Sequence, residues 1–188
     1  MKAVVLVEPE IPENTGFIAR LCENFGYELR IVNPEFNLED ARKTASKAQQ
    51  KLEEAHIYNQ IQESIKDLDY IVGTKPGKGS SLENFQAREN TSIMIGRESS
   101  GLSNEELDLC DSIVHIETDD YSSINQSHAA GILMNNFSKK SEKNGISQGQ
   151  KQVLDEMIQN EVLKELVLDA NPSQEKVNHL IGQLKQEE

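Results

Sequence analysis

The chain has 188 residues, with 19 Lys and Arg against 32 Asp and Glu, a net charge of −13, and 36% hydrophobic residues; that length holds one domain with a sizeable core and a helical appendage. Such acidity excludes loose, charge-driven adhesion to nucleic acid. No apolar run approaches the roughly 20 residues that span a bilayer, Glu8 arrives too early for a secretory signal, and Cys22 and Cys110, both read as buried helical thiols, form no C-x-x-C, which excludes a disulfide framework and a zinc site and leaves a cytoplasmic chain.

The charge is uneven. Residues 1–80 carry 10 Lys/Arg and 13 acids, residues 81–137 carry 2 and 10, and residues 138–188 carry 7 and 9. An RNA-facing surface would draw on Arg42, Lys43, Lys47, Lys51, Lys75 and Lys78, with Arg20 and Arg97 in isolation. The group from Arg42 to Lys51 reads equally well as a solvated helix face.

In chain order, the valine-rich run Lys2 to Glu8 predicts a buried strand. Two prolines and Gly16 then force a loop, and Asn14 or Thr15 is placed to cap a helix that Gly26 ends. Leu29 to Val32 predicts a second strand, and residues 38–55 a helix with Ala41, Ala45, Ala48, Leu52 and Ala55 on one face. Ile61 to Leu68 is amphipathic. Tyr70 to Thr74 is a strand, and the glycine-rich basic run Lys75 to Ser81 is a loop without regular structure. Ser92 to Gly96 is a strand leading into Arg97 to Leu102, and Ser103 with Glu106 makes a capping box for a short helix to about Cys110. Ser112 to Ile116 is the next strand. Ser122, Ser123 and Asn125 then crowd the start of a helix, where free N–H groups meet short polar side chains.

Strands alternating with helices give an α/β fold with a mainly parallel sheet covered on both faces. Ligands in such sheets bind beyond the strand carboxyl ends, where Thr74, Gly96, Glu98, Ile116 and Ser122 to Asn125 fall. The expected organisation is a domain over residues 1–140, a polar linker over 141–150 and a helical extension over 151–188, with helices at Val153 to Leu168 and Gln174 to Leu184.

Several chemistries drop out. The sequence has no Walker motif, no G-x-G-x-x-G after the first strand and no G-x-S-x-G elbow, and the four histidines lack ligand spacing, so no metal is expected; His115 and His128 read as structural.

Three ordered motifs remain, in Glu13 to Arg20 (N-x-G-x-x-x-R), in Ile95 to Leu102 (G-x-E-x-x-G) and in Tyr121 to Asn125 (S-x-N before a helix). Together they resemble the SpoU-type branch of the SPOUT superfamily, RNA ribose 2′-O-methyltransferases that use S-adenosylmethionine. Gly96-Arg97-Glu98, Ser103 to Leu107 and Tyr121-Ser122-Ser123 look most like its TrmJ group, which methylates the ribose at position 32 of the tRNA anticodon loop. Glu8 to Pro12 with Leu21-Cys22 looks more like the TrmL group, which acts on the wobble ribose. The resemblance implies a C-terminal trefoil knot, a homodimer, tRNA as partner and no membrane. It also implies that Arg20 arrives from the partner subunit to orient ribose and phosphate, that Asn14 steadies its loop, and that Glu98, Ser123 and Asn125 shape the methyl-donor site. Cofactor contacts, largely from backbone, would come from Thr74, Lys75, Pro76, Gly96, Ile116, Ser122, Ser123 and Ile124. The alternative readings are a wobble-position tRNA or rRNA ribose methyltransferase, a methyltransferase acting on protein, and a non-enzymatic RNA-binding protein on the same fold.

Overall fold

Five hydrophobic residues in succession make β1 (Ala3–Val7) a strand buried on both sides: Val4 and Leu6 enter one core cluster, Val5 and Val7 another. A strand with no polar face belongs in the middle of a sheet covered by helices. The structure, a computed structural model, describes residues 1–141, 153, 154, 157, 158 and 174–184. Its seven strands lie in the order β3-β2-β1-β6-β4-β7-β5, and every ladder is parallel. Besides β1 these are β2 (Glu28–Val32), β3 (His56–Tyr58), β4 (Tyr70–Thr74), β5 (Ser80–Ser81), β6 (Thr91–Ile95) and β7 (Ser112–His115). The chain steps outward from β1 to β3 and then fills the other side of β1, so β1 and β6 flank the place where strand order reverses.

Helix α1 (Pro12–Phe25) begins earlier than the sequence reading placed it. Ile11 is the extended N-cap and Pro12 opens the first turn, where its fixed φ suits a helix and its missing N–H costs nothing. Asn14 and Thr15 are therefore not caps but buried first-turn residues, which frees the Asn14 amide for other work. Gly26, at φ +66°, ends the helix as expected.

The single helix expected over residues 38–55 is broken. Helix α2 (Leu38–Ala45) stops at Ser46, whose φ of +52° no continuing helix tolerates, and a 3-10 turn (Ser46–Ala48) and α3 (Gln49–Glu53) follow. Ala41, Ala45, Ala48 and Leu52 are nonetheless buried, so the apolar stripe survives the break. Helix α2 lies against α1 at Gly16, where an added Cβ would sit 2.1 Å from Thr44 Oγ1 and 2.3 Å from the Ala41 carbonyl oxygen. The remaining helices are α4 (Ile61–Ile65), α5 (Asn104–Leu107), α6 (Gln126–Ser141) and α7 (Gln174–Leu184). Helices α1, α2 and α6 cover one face of the sheet; Leu107 of α5, with the half-buried Ile61 and Ile65 of α4, covers the other.

Three further expectations change. His56–Tyr58, which had no assignment, is an edge strand, and Ser80–Ser81 inside the supposed loop pairs with β7 at the opposite edge. Helix α5 ends at Leu107, leaving Cys110 half-buried in the turn that follows; Cys22 is buried in α1. The chain divides into compact units of Met1–Ser138 and Lys139–Glu188. In the second, Leu154, Ile158 and Val177 form a buried cluster with Leu180, Ile181 and Leu184. Residues 142–150 and most of the expected Val153 to Leu168 helix lie outside the described residues.

Arg30, on β2, is 3% exposed and its guanidinium is fully occupied: Asp67 at 2.6 and 2.9 Å, Glu28 at 2.9 and 3.2 Å, and the Ser64 carbonyl at 2.7 Å. Breaking a buried ion pair from one side strands the rest, so Arg30→Ala is expected to lower unfolding free energy by about 3 kcal/mol in urea titrations. Arg30 holds the Asp67 carboxyl down to about 2. A depressed carboxylate stabilises the fold above its unfolded pKa and loses that contribution as pH falls through the folded value. Asp67→Asn should thus lower the urea midpoint at neutral pH, with the gap to wild type closing between about pH 4 and pH 2. Gly16→Ala, pressed on backbone it cannot displace, is expected to cost about 2 kcal/mol in the same assay.

Candidate active site

The loop after β6 is a tight hairpin built on two glycines. Arg97 and Gly101 form an antiparallel bridge, with the Gly101 N–H donating to the Arg97 carbonyl at 2.9 Å. Gly101 turns the chain at φ +68°, and a Cβ on Gly96 would lie 2.2 Å from the Gly101 carbonyl carbon. Two glycines five residues apart are thus a packing requirement, one for the turn and one for the close approach.

Glu98 projects from this hairpin onto the neighbouring loop after β1. Its carboxylate accepts from the N–H of Glu10 at 2.8 Å, from that of Ile11 at 3.3 Å and from Asn14 Nδ2 at 3.0 Å. Asn14 Oδ1 accepts in turn from Asn125 Nδ2 at 3.0 Å. Asn125 Oδ1 caps α6, accepting from the Ser127 N–H at 2.9 Å, the Ser127 hydroxyl at 2.7 Å and the His128 N–H at 3.4 Å. One hydrogen-bonded chain, Glu98 to Asn14 to Asn125, therefore joins all three sequence motifs across separations of 84 and 111 residues.

A second set of contacts reinforces the first. Arg97 donates to Glu8 at 2.7 Å and to Glu106 at 3.0 and 3.1 Å. Glu8 itself sits at φ +46° just past β1. Burial pushes the Glu106 carboxyl up, but Arg97 and the Ser103 N–H outweigh it and hold the group below the ordinary glutamate range. Glu106 also completes the capping box with Ser103, as expected. Glu10 accepts from the Ser99 hydroxyl at 2.6 Å and N–H at 2.8 Å, which likewise lowers its pKa.

These loops enclose a cavity of about 430 Å³, within the range of small-ligand sites. Thr74, Lys75 and Pro76 line it from β4, Gly96 and Glu98 from β6, Ile116 from β7, and Ser122, Ser123, Ile124 and Asn125 from the approach to α6, with Asn14 across from them. Every candidate residue except Arg20 is thereby brought to one wall or another. Ile95, Ile116, Ile124 and Pro76 offer an apolar surface, and Ser122 and Ser123 are exposed. A nucleoside needs such a mixture of flat apolar contact and hydrogen-bonding backbone, so these residues fit an adenosyl-bearing cofactor.

Arg20 is elsewhere. It is exposed on α1 and, with Phe17, Leu21, Asn24, Ser127, His128 and Ile132, lines a separate depression between α1 and α6. His128, read from sequence as structural, is exposed there, whereas His115 meets the Lys78 carbonyl at 3.3 Å. The sequence reading also missed the work of Arg97, Glu8 and Glu10. All three lie in stretches that carry the family resemblance, but nothing in those stretches names their partners. Three residues placed on an RNA-facing surface are instead engaged in ion pairs: Arg97 as above, Arg42 with Glu53 at 3.0 Å, and Lys51 with Glu23 at 3.4 Å. Among the described residues there is no cluster of three or more His, Cys, Asp or Glu able to hold a metal ion, and no helix long and apolar enough to cross a membrane.

The sequence model of the SpoU rRNA methylase family matches residues 1–135. The chain belongs to that family. Among its SpoU relatives, a tRNA (cytidine-2′-O-)-methyltransferase TrmJ of Methanocaldococcus jannaschii is 34% identical over 77% of this chain and 70% of its own length. A tRNA (cytidine(34)-2′-O)-methyltransferase of Escherichia coli is 59% identical over 34 residues, 18% of this chain and 22% of that protein. The SpoU methyltransferase AviRb of Streptomyces viridochromogenes, solved in complex with AdoMet, superposes with a TM-score of 0.65 at 23% identity, covering 73% of this chain and 57% of that one. The chain spans 70%, 62% and 57% of the length of three TrmJ relatives it matches. The motif glycines and asparagines of this SpoU chain are thus explained by packing and by a shared hydrogen-bond chain.

Because Asn14 is the middle link, Asn14→Ala and Asn125→Ala should be non-additive. A double-mutant cycle in urea is expected to give a coupling of about 1 kcal/mol, whereas Asn14 with the distant Arg30 should give none.

Proposed function

We propose that this protein is an S-adenosylmethionine-dependent ribose 2′-O-methyltransferase acting on tRNA in the cytoplasm, at position 32 of the anticodon loop, as a homodimer with the knotted chain path that the resemblance implies. The observation that carries this reading is the convergence of Asn14, Glu98 and Asn125 on one cavity beyond the strand carboxyl ends. The tRNA substrate is taken from the TrmJ relative, and position 32 from the TrmJ-like motifs. The short, high-identity match to a cytidine(34) enzyme favours the wobble ribose as the second reading.

When bound, the donor supplies an electrophilic methyl group on a sulfonium. The protein's part is to hold the ribose hydroxyl in line with that methyl and to let its proton leave. Glu98 is not free to take the proton, since both its oxygens already accept N–H groups; it fixes the two loops instead. Ser122 and Ser123, exposed at the cavity mouth, are positioned to hydrogen-bond a ribose edge. Arg20 supplies a planar donor fork for ribose and phosphate and forms no ion pair with a described residue. It lies outside its own chain's cavity, beside Phe17 and Ile132, which are 42% and 41% exposed. An apolar patch beside an unpaired arginine fits a second copy of the chain, which would carry Arg20 to the neighbouring site.

Mass mapping of tRNA methylated in vitro is expected to find one added methyl on the ribose at position 32; methylation confined to position 34, or to rRNA, rejects the assignment. Arg20→Ala should abolish transfer while leaving S-adenosylhomocysteine affinity unchanged. Mixing it with a Ser123→Trp variant, whose own cavity mouth is filled, should restore activity through mixed dimers. Failure of that mixture while both variants dimerise would place Arg20 in its own chain's site.

A further inference from the structure

We propose that the Lys75 ammonium binds the carboxylate of the methyl donor's amino-acid tail. The inference rests on the reading that the donor occupies the cavity described above. The family resemblance implies a role for Lys75 through its main chain only; this assignment adds one for its side chain.

Two cations line the cavity, Lys75 and Arg97. The Arg97 guanidinium is consumed by Glu8 and Glu106. Lys75 Nζ makes one hydrogen bond, to the Leu102 carbonyl at 2.9 Å, and forms no ion pair with a described residue. An ammonium has three N–H donors, so two donors remain unmatched; the acid whose charge it feels, Glu106, is already paired with Arg97. In a chain with 32 acids and 19 bases, a half-buried lysine with no carboxylate in direct contact among the described residues is an unusual arrangement. Glu98, the acid that shares the cavity, is occupied by three N–H donors.

The tether says which anion is meant. Leu102 is fully buried, so an ammonium held on its carbonyl is drawn inward, away from the exposed Ser122 and Ser123 at the mouth. An RNA phosphate, large and hydrated, approaches from the mouth. A carboxylate at the end of a small bound molecule reaches the floor. Because the Leu102 contact already restrains the long side chain, less rotamer entropy is lost when the carboxylate arrives.

Calorimetry on the whole protein tests this with two ligands: S-adenosylhomocysteine, which carries the amino-acid tail, and 5′-methylthioadenosine, which keeps the nucleoside and sulfur but lacks it. Lys75→Met is expected to weaken S-adenosylhomocysteine by about tenfold, the scale of one charge-assisted hydrogen bond, and to leave 5′-methylthioadenosine unchanged, with Lys75→Arg retaining most of the affinity. Equal weakening of both ligands would mean a loosened loop and overturn the proposal. Unchanged S-adenosylhomocysteine affinity with a raised KM for tRNA would overturn it in favour of an RNA phosphate contact. If wild type bound neither ligand, the donor-site reading itself would fall, and this assignment with it.

Discussion

Three N–H donors aimed at one carboxylate hold this site together. Strands β1 and β6 are neighbours, so their carboxyl-end loops emerge side by side, but adjacency alone does not fix how two irregular loops meet. Glu98 fixes it by accepting from the Glu10 and Ile11 backbone and from Asn14 at once. A carboxylate held by that many donors is fixed in place. Everything further along depends on it: Asn14 is aimed at Asn125, Asn125 caps α6, and the last wall of the cavity is thereby set. The dependence runs back to Pro12 as well, because a helix that started at Asn14 would have spent that side chain on its own N-terminus.

The distribution of charge explains why simple counting misled. Arg97, expected on an RNA-facing surface, is taken up by Glu8 and Glu106, as the buried Arg30 is by Asp67 and Glu28. Arg42 and Lys51 are answered on the surface by Glu53 and Glu23. What remains of the positive charge near the two depressions is Arg20 in one and Lys75 in the other. An acidic protein that handles an anionic polymer gains selectivity this way, since attraction is confined to a few points and repulsion acts elsewhere.

Legibility in the sequence followed the range of the physics involved. Doubly buried strands such as Ala3–Val7 and Thr91–Ile95 announce themselves by composition, and Gly26 and the Ser103 capping box by local stereochemistry. The clustering of Gly96, Glu98, Ser122 and Asn125 at strand ends followed from the α/β pattern and from the family resemblance. What escaped was set by partners distant in the chain. The break at Ser46 arises within a stretch whose apolar periodicity continues unbroken, and the edge pairing of His56–Tyr58 and Ser80–Ser81 is decided by strands 26 and 34 residues away. Arg97, Glu8 and Glu10 lie in stretches that carry the family likeness, but their partners could not be read there, because contacts across 89 residues leave no periodic trace.

The two borders of the sheet have a consequence for how the molecule behaves in a crowded solution. An all-parallel sheet has open hydrogen-bonding rims, each a template on which another chain could add a strand and begin a fibril. Here the rims are β3 and β5, of three and two residues. Neither offers enough consecutive free backbone groups to seed such growth, and the seven-stranded interior stays closed to polymerisation.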